Sequence, residues 1–260
     1  MIFTKKSPLE KEWEKMQKQE VLYLQKQMQK NESKLNQFLE DKVPTSLQET
    51  LDKTFAKAFY LVFEKGTSII EKTYRKEEME KEYQINEFAS QIKGTRRSLK
   101  NFSKKANGAS KFNTLLSLVS GVGLGALGVG IPDIILLTAM MLKNMYEIAL
   151  HYGFTYEEED EKRFILKVIE ASLSHGVDLQ RLNNEINFFI SHGYFQENQT
   201  LDETITITAA SLSKELLYMK FLQGIPVVGV VGGAYDFIYM NKVSKYAKLK
   251  YQRRFLSKQM

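Results

Sequence analysis

Cysteine is absent from this 260-residue chain, which excludes disulfides, thiolate metal sites and thiol nucleophiles. Histidine occurs three times and proline four times, so neither a histidine-rich metal centre nor a proline-rich linker is available. No apolar run is long and unbroken enough for a comfortable bilayer span of about 20 residues. The opening residues, MIFTKKSPLEKEWEK, lack the apolar centre of a secretory signal. The expected location is therefore the cytoplasm, with a peripheral position at the inner face of the cell membrane consistent with the charge pattern below. Strand signals are nearly absent too. Thr204–Thr208 alternates, but the capping box Thr200-x-x-Glu203 and the spacing of Leu212, Leu216 and Met219 favour a helix.

What remains is a helical chain with 43% hydrophobic residues, enough for a sizeable core. Ser7-Pro8-Leu9-Glu10 reads as a helix start with a capping box. The charged helix after it carries Leu9, Trp13, Met16, Leu24, Met28, Leu35 and Phe38 as a sparse stripe. Val43-Pro44 interrupts it, and Ser46 with Glu49 predicts a second capping box. Leu47, Leu51, Phe55, Phe59 and Phe63 then recur every four residues as an amphipathic face. A Glu/Lys-rich helix over about 67–92 is expected to be exposed on most sides. Further helices are predicted from Arg163 to Leu173, from Leu179 to Ile190, and from Thr200 to about Leu222. The fold class is all-α, a multi-helix globular bundle. The expected division is a charged N-terminal helix over 1–43 and a helical domain over 44–260.

The net charge of +6 is unevenly placed. Seven bases and one acid occupy 93–142, and the same numbers occupy 224–260; residues 1–92 balance, and 143–223 are acidic. Lys93, Arg96, Arg97, Lys100, Lys104, Lys105 and Lys111 lead into the most apolar stretch. Lys242, Lys245, Lys248, Lys250, Arg253, Arg254 and Lys258 follow the second most apolar one. Bases beside apolar segments are attracted to anionic lipid. Nucleic acid is disfavoured as a partner: Tyr246, Tyr251 and Phe255 fit one buried helix stripe better than a base-stacking platform.

The two apolar stretches, 112–142 and 221–240, are glycine-rich, and each contains Gly-Ile-Pro. Ser117, Gly121 and Gly125 share a helix face that admits close backbone approach. Together with Gly128, Gly130, Pro132, Asp133, Gly153, Pro226, Gly229, Gly232 and Gly233 they are the candidate packing positions of an apolar hairpin. Two readings stand: a hairpin packed inside a soluble bundle, or one that enters a bilayer. Gly123-Leu-Gly125-Ala-Leu-Gly128 matches a dinucleotide fingerprint, but no βαβ unit surrounds it and Glu147 falls in a helical pattern. His151, His175 and His192 each precede a glycine and read as helix C-terminal residues. The acidic run Glu157–Glu161 reads as a solvated helix start. No catalytic, cofactor-binding or metal-ligating set is visible, and the chain reads as non-enzymatic.

GLGALGVGIPDIILLTAMMLKNMYEIALHYGF followed by an acidic turn and RFILKVIEAS, with the later FLQGIPVVGVVGGAYDFIYMNKVSKYAKLKYQRRFL, resembles the EcsC protein family. The resemblance covers 115–174 and 221–256. It implies a bacterial, helical protein and is compatible with a membrane-proximal role, since the family is named for a protein encoded with the Ecs ABC transporter. It supplies no catalytic residues. The expectation is a non-enzymatic protein at the cytoplasmic membrane face whose partner is an anionic membrane surface or a membrane protein such as an ABC transporter. The alternatives are a soluble assembly protein with no lipid contact and a triggered, toxin-like membrane inserter.

Overall fold

The computed structural model describes residues 6–28, 43–93, 99, 131–222 and 234–260. Ser7 and Glu10 form the expected capping box, with the Glu10 amide donating to Ser7 Oγ at 3.1 Å and the Ser7 amide to Glu10 Oε2 at 2.6 Å. Helix α1 follows, Pro8–Met28. Helix α2 is Thr45–Leu61, and here the sequence expectation fails. Pro44 takes the N-cap position with no side-chain cap, so Ser46 is the second helical residue and Glu49 lies beyond the first turn, and no box forms. Phe55 and Phe59 are fully buried, as their four-residue spacing requires.

A π-helical turn, Val62–Gly66, joins α2 to the short α3, Thr67–Glu71. Helix α4 is Lys76–Lys93. The single helix expected over 67–92 is therefore broken at 72–75, where a tyrosine cluster holds the corner. Tyr156 donates to Glu71 at 2.6 Å, its hydroxyl lies 2.6 Å from that of Tyr74, and its ring stacks on Tyr146 with centroids 4.0 Å apart. Lys76 bridges Glu71 and Glu157.

Helix α5 is Ile131–His151 and continues through Lys143, whose ammonium is neutralised one turn on by Glu147 at 2.5 Å. Ile134–His151 is long and apolar enough to cross a membrane, but 78% of that window is buried inside the protein. Gly153 ends the helix at φ +75°, with His151 in its last turn. Helices α6 (Glu159–Leu173), α7 (Gly176–His192), α8 (Leu201–Leu222) and α9 (Ala234–Lys258) complete the described elements. No strand occurs among the described residues, so the all-α class holds. The capping box of α8 forms as predicted, the Thr200 amide donating to Glu203 at 2.8 Å.

Helix α6 is the centre of the bundle. Every side chain from Phe164 to Leu173 is buried, with α7, α8 and α9 against it. Helix α2 packs most extensively on α8, α5 lies against α2 and α9, and α1 lies across α9 and α7. His175 departs from its expected place: it is the N-cap residue of α7 in extended backbone, not a member of the last turn of α6. The acidic run is not uniformly solvated either, because Glu161 is buried.

Ser117, Gly121, Gly125, Gly128, Gly130, Pro226, Gly229, Gly232 and Gly233 lie outside the described residues, as do Arg96, Arg97, Lys100, Lys104, Lys105 and Lys111. Pro132 and Asp133 are placed as backbone in the first turn of α5, and Lys93 as backbone at the end of α4. Gly153 meets α4: a Cβ built there would stand 2.2 Å from the Tyr83 ring.

Two outcomes follow from this packing. Gly153→Ala combines a left-handed backbone with a clash against Tyr83, whereas Gly193→Ala, at φ +83° with nothing within 4 Å, carries the backbone cost alone. Chemical denaturation should give a loss on the order of 1 kcal/mol for Gly193→Ala and a clearly larger one for Gly153→Ala. Burial raises the Glu170 carboxyl from 4.5 to about 7 against the pull of Lys167 and Arg181. A carboxyl raised in the folded state binds its proton more tightly there than in the unfolded chain. Its contribution is full below pH 4.5 and is lost as pH rises through about 7. Glu170→Gln should therefore melt above the parent at pH 8 and close to it at pH 4, with thermal unfolding as the readout.

Candidate functional site

The C-terminal helix α9 carries the second basic block, and its helical spacing divides that block between two faces. Tyr246, Lys250, Arg253 and Arg254 point into the protein. Asn241, Lys242, Lys245, Lys248, Leu249 and Gln252, at spacings of three and four, form the other stripe.

The inner face is an ion-pair seam. Lys250 is 0% exposed and its ammonium reaches Glu20 on α1, with Asn183 at 2.5 Å and Asn187 at 2.8 Å on α7. Arg253 donates to the other oxygen of Glu20 at 2.7 Å, and Asn187 donates to that carboxylate at 3.1 Å. Tyr246, stacked obliquely on Tyr23, donates to Asn183 at 3.0 Å. Burial pushes the Glu20 carboxyl up, but Lys250, Arg253 and Asn187 outweigh it and hold it below its ordinary value. Burial lowers the Lys250 ammonium to about 8, so the pair is charged at neutral pH. Further along, Arg254 and the Tyr251 hydroxyl both donate to Glu161, at 2.5 and 2.6 Å, and the Arg254 guanidinium lies 4.2 Å from the centre of the Phe154 ring.

This arrangement corrects the expectation that all seven bases of the block face an anionic surface. Lys250 is inaccessible, and Arg253 and Arg254 are committed to buried carboxylates, because a helix packed on both α1 and α6 has only one face to give to solvent. Lys242 is intermediate: it pairs with Glu215 on α8 while still lining the outer stripe.

The outer stripe faces α1 across a groove of about 790 Å³. Lys242, Lys245 and Lys248 line one wall, and Lys26 of α1 lines the other. Lys26 and Lys245 are exposed, and Lys245 approaches the Tyr23 ring to 6.0 Å from its centroid. Burial pushes the Lys248 ammonium below its ordinary value. Leu22, Tyr23 and Leu249 supply apolar surface, and no carboxylate is among the described lining residues. Four lysines, one of them shared with Glu215, give the groove a positive lining that attracts an anion.

Two carboxylates proved decisive: Glu20, which the sequence left unmarked, and Glu161, which it placed in a solvated helix start. Glu20 lies on the buried stripe Glu12, Met16, Glu20, Tyr23 and Gln27 of α1, and Glu161 sits in the first turn of α6. The spacing 12, 16, 20, 23, 27 is helical, but three of the five side chains are polar, so an apolar pattern search passes over it. Trp13, Leu9 and Leu24 of the expected stripe are partly buried beside it, while Met28 is exposed. A second hollow, of about 600 Å³ at the start of α8, is lined by Asp202 and Glu203. No group of residues suited to a metal ion occurs among the described residues.

The family model described as the EcsC protein family matches residues 9–256. No curated protein and no solved structure matches the chain.

The seam predicts a strong asymmetry between its members. Glu20→Leu leaves Lys250 and Arg253 facing an apolar side chain, and should cost about 3–5 kcal/mol in denaturant unfolding. The double variant Glu20→Leu with Lys250→Met removes both buried charges and should recover much of that loss. Equal destabilisation by the single and the double variant would show that the pair does not couple α1 to α9.

Proposed function

The chain belongs to the EcsC protein family, and we propose that it is a non-enzymatic protein that binds the anionic surface of a membrane through the groove between α1 and α9. The observation that carries this reading is the set of four lysines, Lys26, Lys242, Lys245 and Lys248, converging on one groove, with Lys242 shared with Glu215 and no carboxylate among the described lining residues. Each base near an anionic leaflet contributes roughly 1 kcal/mol. Four acting together are enough for reversible recruitment.

The groove rim supports lipid over a free anion. Leu22 is 65% exposed and Val21 is 51% exposed on the adjoining stretch of α1, with Met28 also open. Apolar side chains next to lysines suit the boundary between headgroups and acyl chains, where the lysine stems extend their charge toward the phosphates. The inner cytoplasmic leaflet supplies such a surface, which accords with the location expected from the sequence.

Vesicle co-sedimentation tests the proposal. The protein should bind vesicles containing an anionic phospholipid and leave neutral phosphatidylcholine vesicles in solution, and binding should weaken as salt rises. Lys26→Glu combined with Lys245→Glu, both at exposed positions, should reduce anionic-vesicle binding by roughly tenfold or more. Lys57→Glu, on α2 and outside the groove, should leave it unchanged. Equal recovery with neutral and anionic vesicles, or an equal effect of the groove and control variants, would overturn the proposal. Retained dye in the same vesicles separates surface binding from insertion.

A further inference from the structure

Helix α1 turns part of its apolar content outward. Its buried stripe is Glu12, Met16, Glu20, Tyr23 and Gln27, while Val21, Leu22 and Met28 are exposed. A helix oriented by apolar packing alone would present those aliphatic side chains to the core. Its rotation follows instead from Glu20. That carboxylate reaches Lys250 and Arg253 on α9, which leaves the next two side chains pointing away from the bundle. Val21 and Met28, seven residues apart, lie two turns along one line, with Leu22 on the adjoining row. They form one patch rather than scattered side chains.

The charge around this patch is of one sign. Residues 15–28 contain Lys15, Lys18 and Lys26, all exposed, and a single acid, Glu20, which is buried. Glu14, just before them, is paired with Lys6. Another exposed apolar pair, Ile85 and Phe88, lies on α4, a helix with five glutamates against three lysines. An anionic surface attracts the first patch and repels the second, so charge decides which of the two meets lipid.

We propose that the outer face of α1 is a shallow wedge: Val21, Leu22 and Met28 enter the boundary between headgroups and acyl chains, and the protein thereby distinguishes membranes of equal charge by how loosely their lipids pack. This rests on the reading that this side of the protein meets an anionic bilayer, and adds to it a selectivity that lysines cannot supply. Lysines respond to the charge density of a leaflet. Aliphatic side chains need gaps between headgroups, and a strongly curved outer leaflet has more of them. Lys15, Lys18 and Lys26 stay at headgroup level, their stems lying along the same apolar boundary.

Small sonicated and large extruded vesicles of one composition, with the same fraction of anionic phospholipid, separate packing from charge. At equal accessible lipid the protein should bind the small vesicles several-fold to about tenfold more tightly. Val21→Gln combined with Leu22→Gln places good helix formers at exposed positions, so it should melt with the parent. It should bring the size ratio close to one and leave salt-sensitive binding to large anionic vesicles in place. Ile85→Gln with Phe88→Gln, the same kind of change on α4, should leave the ratio as in wild type. Because the chain has no cysteine, Leu22→Cys takes a single environment-sensitive fluorophore, which should shift to the blue on small anionic vesicles. The same label on Lys57→Cys should not shift. Equal binding to both sizes, or a label at position 22 that stays unshifted on bound protein, would overturn the wedge and leave electrostatic recruitment standing; binding to neither size would overturn both. Self-association of the wild type in solution that Val21→Gln with Leu22→Gln abolishes would assign the patch to a second copy of the chain and overturn the lipid assignment.

Discussion

The bundle depends on one buried carboxylate. Glu20 of α1 holds Lys250 and Arg253 of α9 and accepts from Asn187 of α7, so a single side chain ties the first helix to the last and both to a third. Desolvating an ion costs several kcal/mol, and the surrounding donors and acceptors offset that cost only in one geometry. Sliding α1 by a turn would leave Lys250 with amide oxygens alone. The pairing thus fixes register where apolar contacts would tolerate several, and the groove exists because that register holds α1 a fixed distance from the outer stripe of α9.

The same constraint sorts the charges of α9. Bases that point toward α1, α6 and α7 meet Glu20 and Glu161, and bases on the remaining stripe have no comparable carboxylate in the groove lining. Neutralisation inside and concentration outside are two results of one helix orientation. The surplus positive charge of the C-terminal block therefore becomes a local feature, facing Lys26, rather than a coat around the helix. Its neighbours in the groove are amides and apolar side chains, with no carboxylate among the described lining residues.

Much of the fold was legible. Capping boxes at Ser7/Glu10 and Thr200/Glu203 form because they are local: the partners lie three residues apart whatever the rest of the chain does. The four-residue spacing of Phe55 and Phe59 translated directly into burial. Ser46/Glu49 had the same letters and formed no box, because Pro44 had already set the helix start. The break at 72–75 was not legible, since it is held by Tyr156 and Glu157, more than 80 residues away in sequence. The groove was half legible: its α9 lysines stood out by composition, while Lys26, Gln27 and the loss of Lys250, Arg253 and Arg254 to the interior did not.

Composition and periodicity by themselves determined that this chain is helical, where several helices begin, which faces carry apolar side chains, and that the basic surplus lies beside apolar segments. These are properties of neighbours three to five residues apart, and short-range sterics and hydrogen bonding decide them. Which bases are sealed in ion pairs and which line a groove was decided only when α1 packed against α9. That choice depends on burial and on carboxylates contributed from distant parts of the chain, and a charge acquires its role from the side chain that packing places next to it.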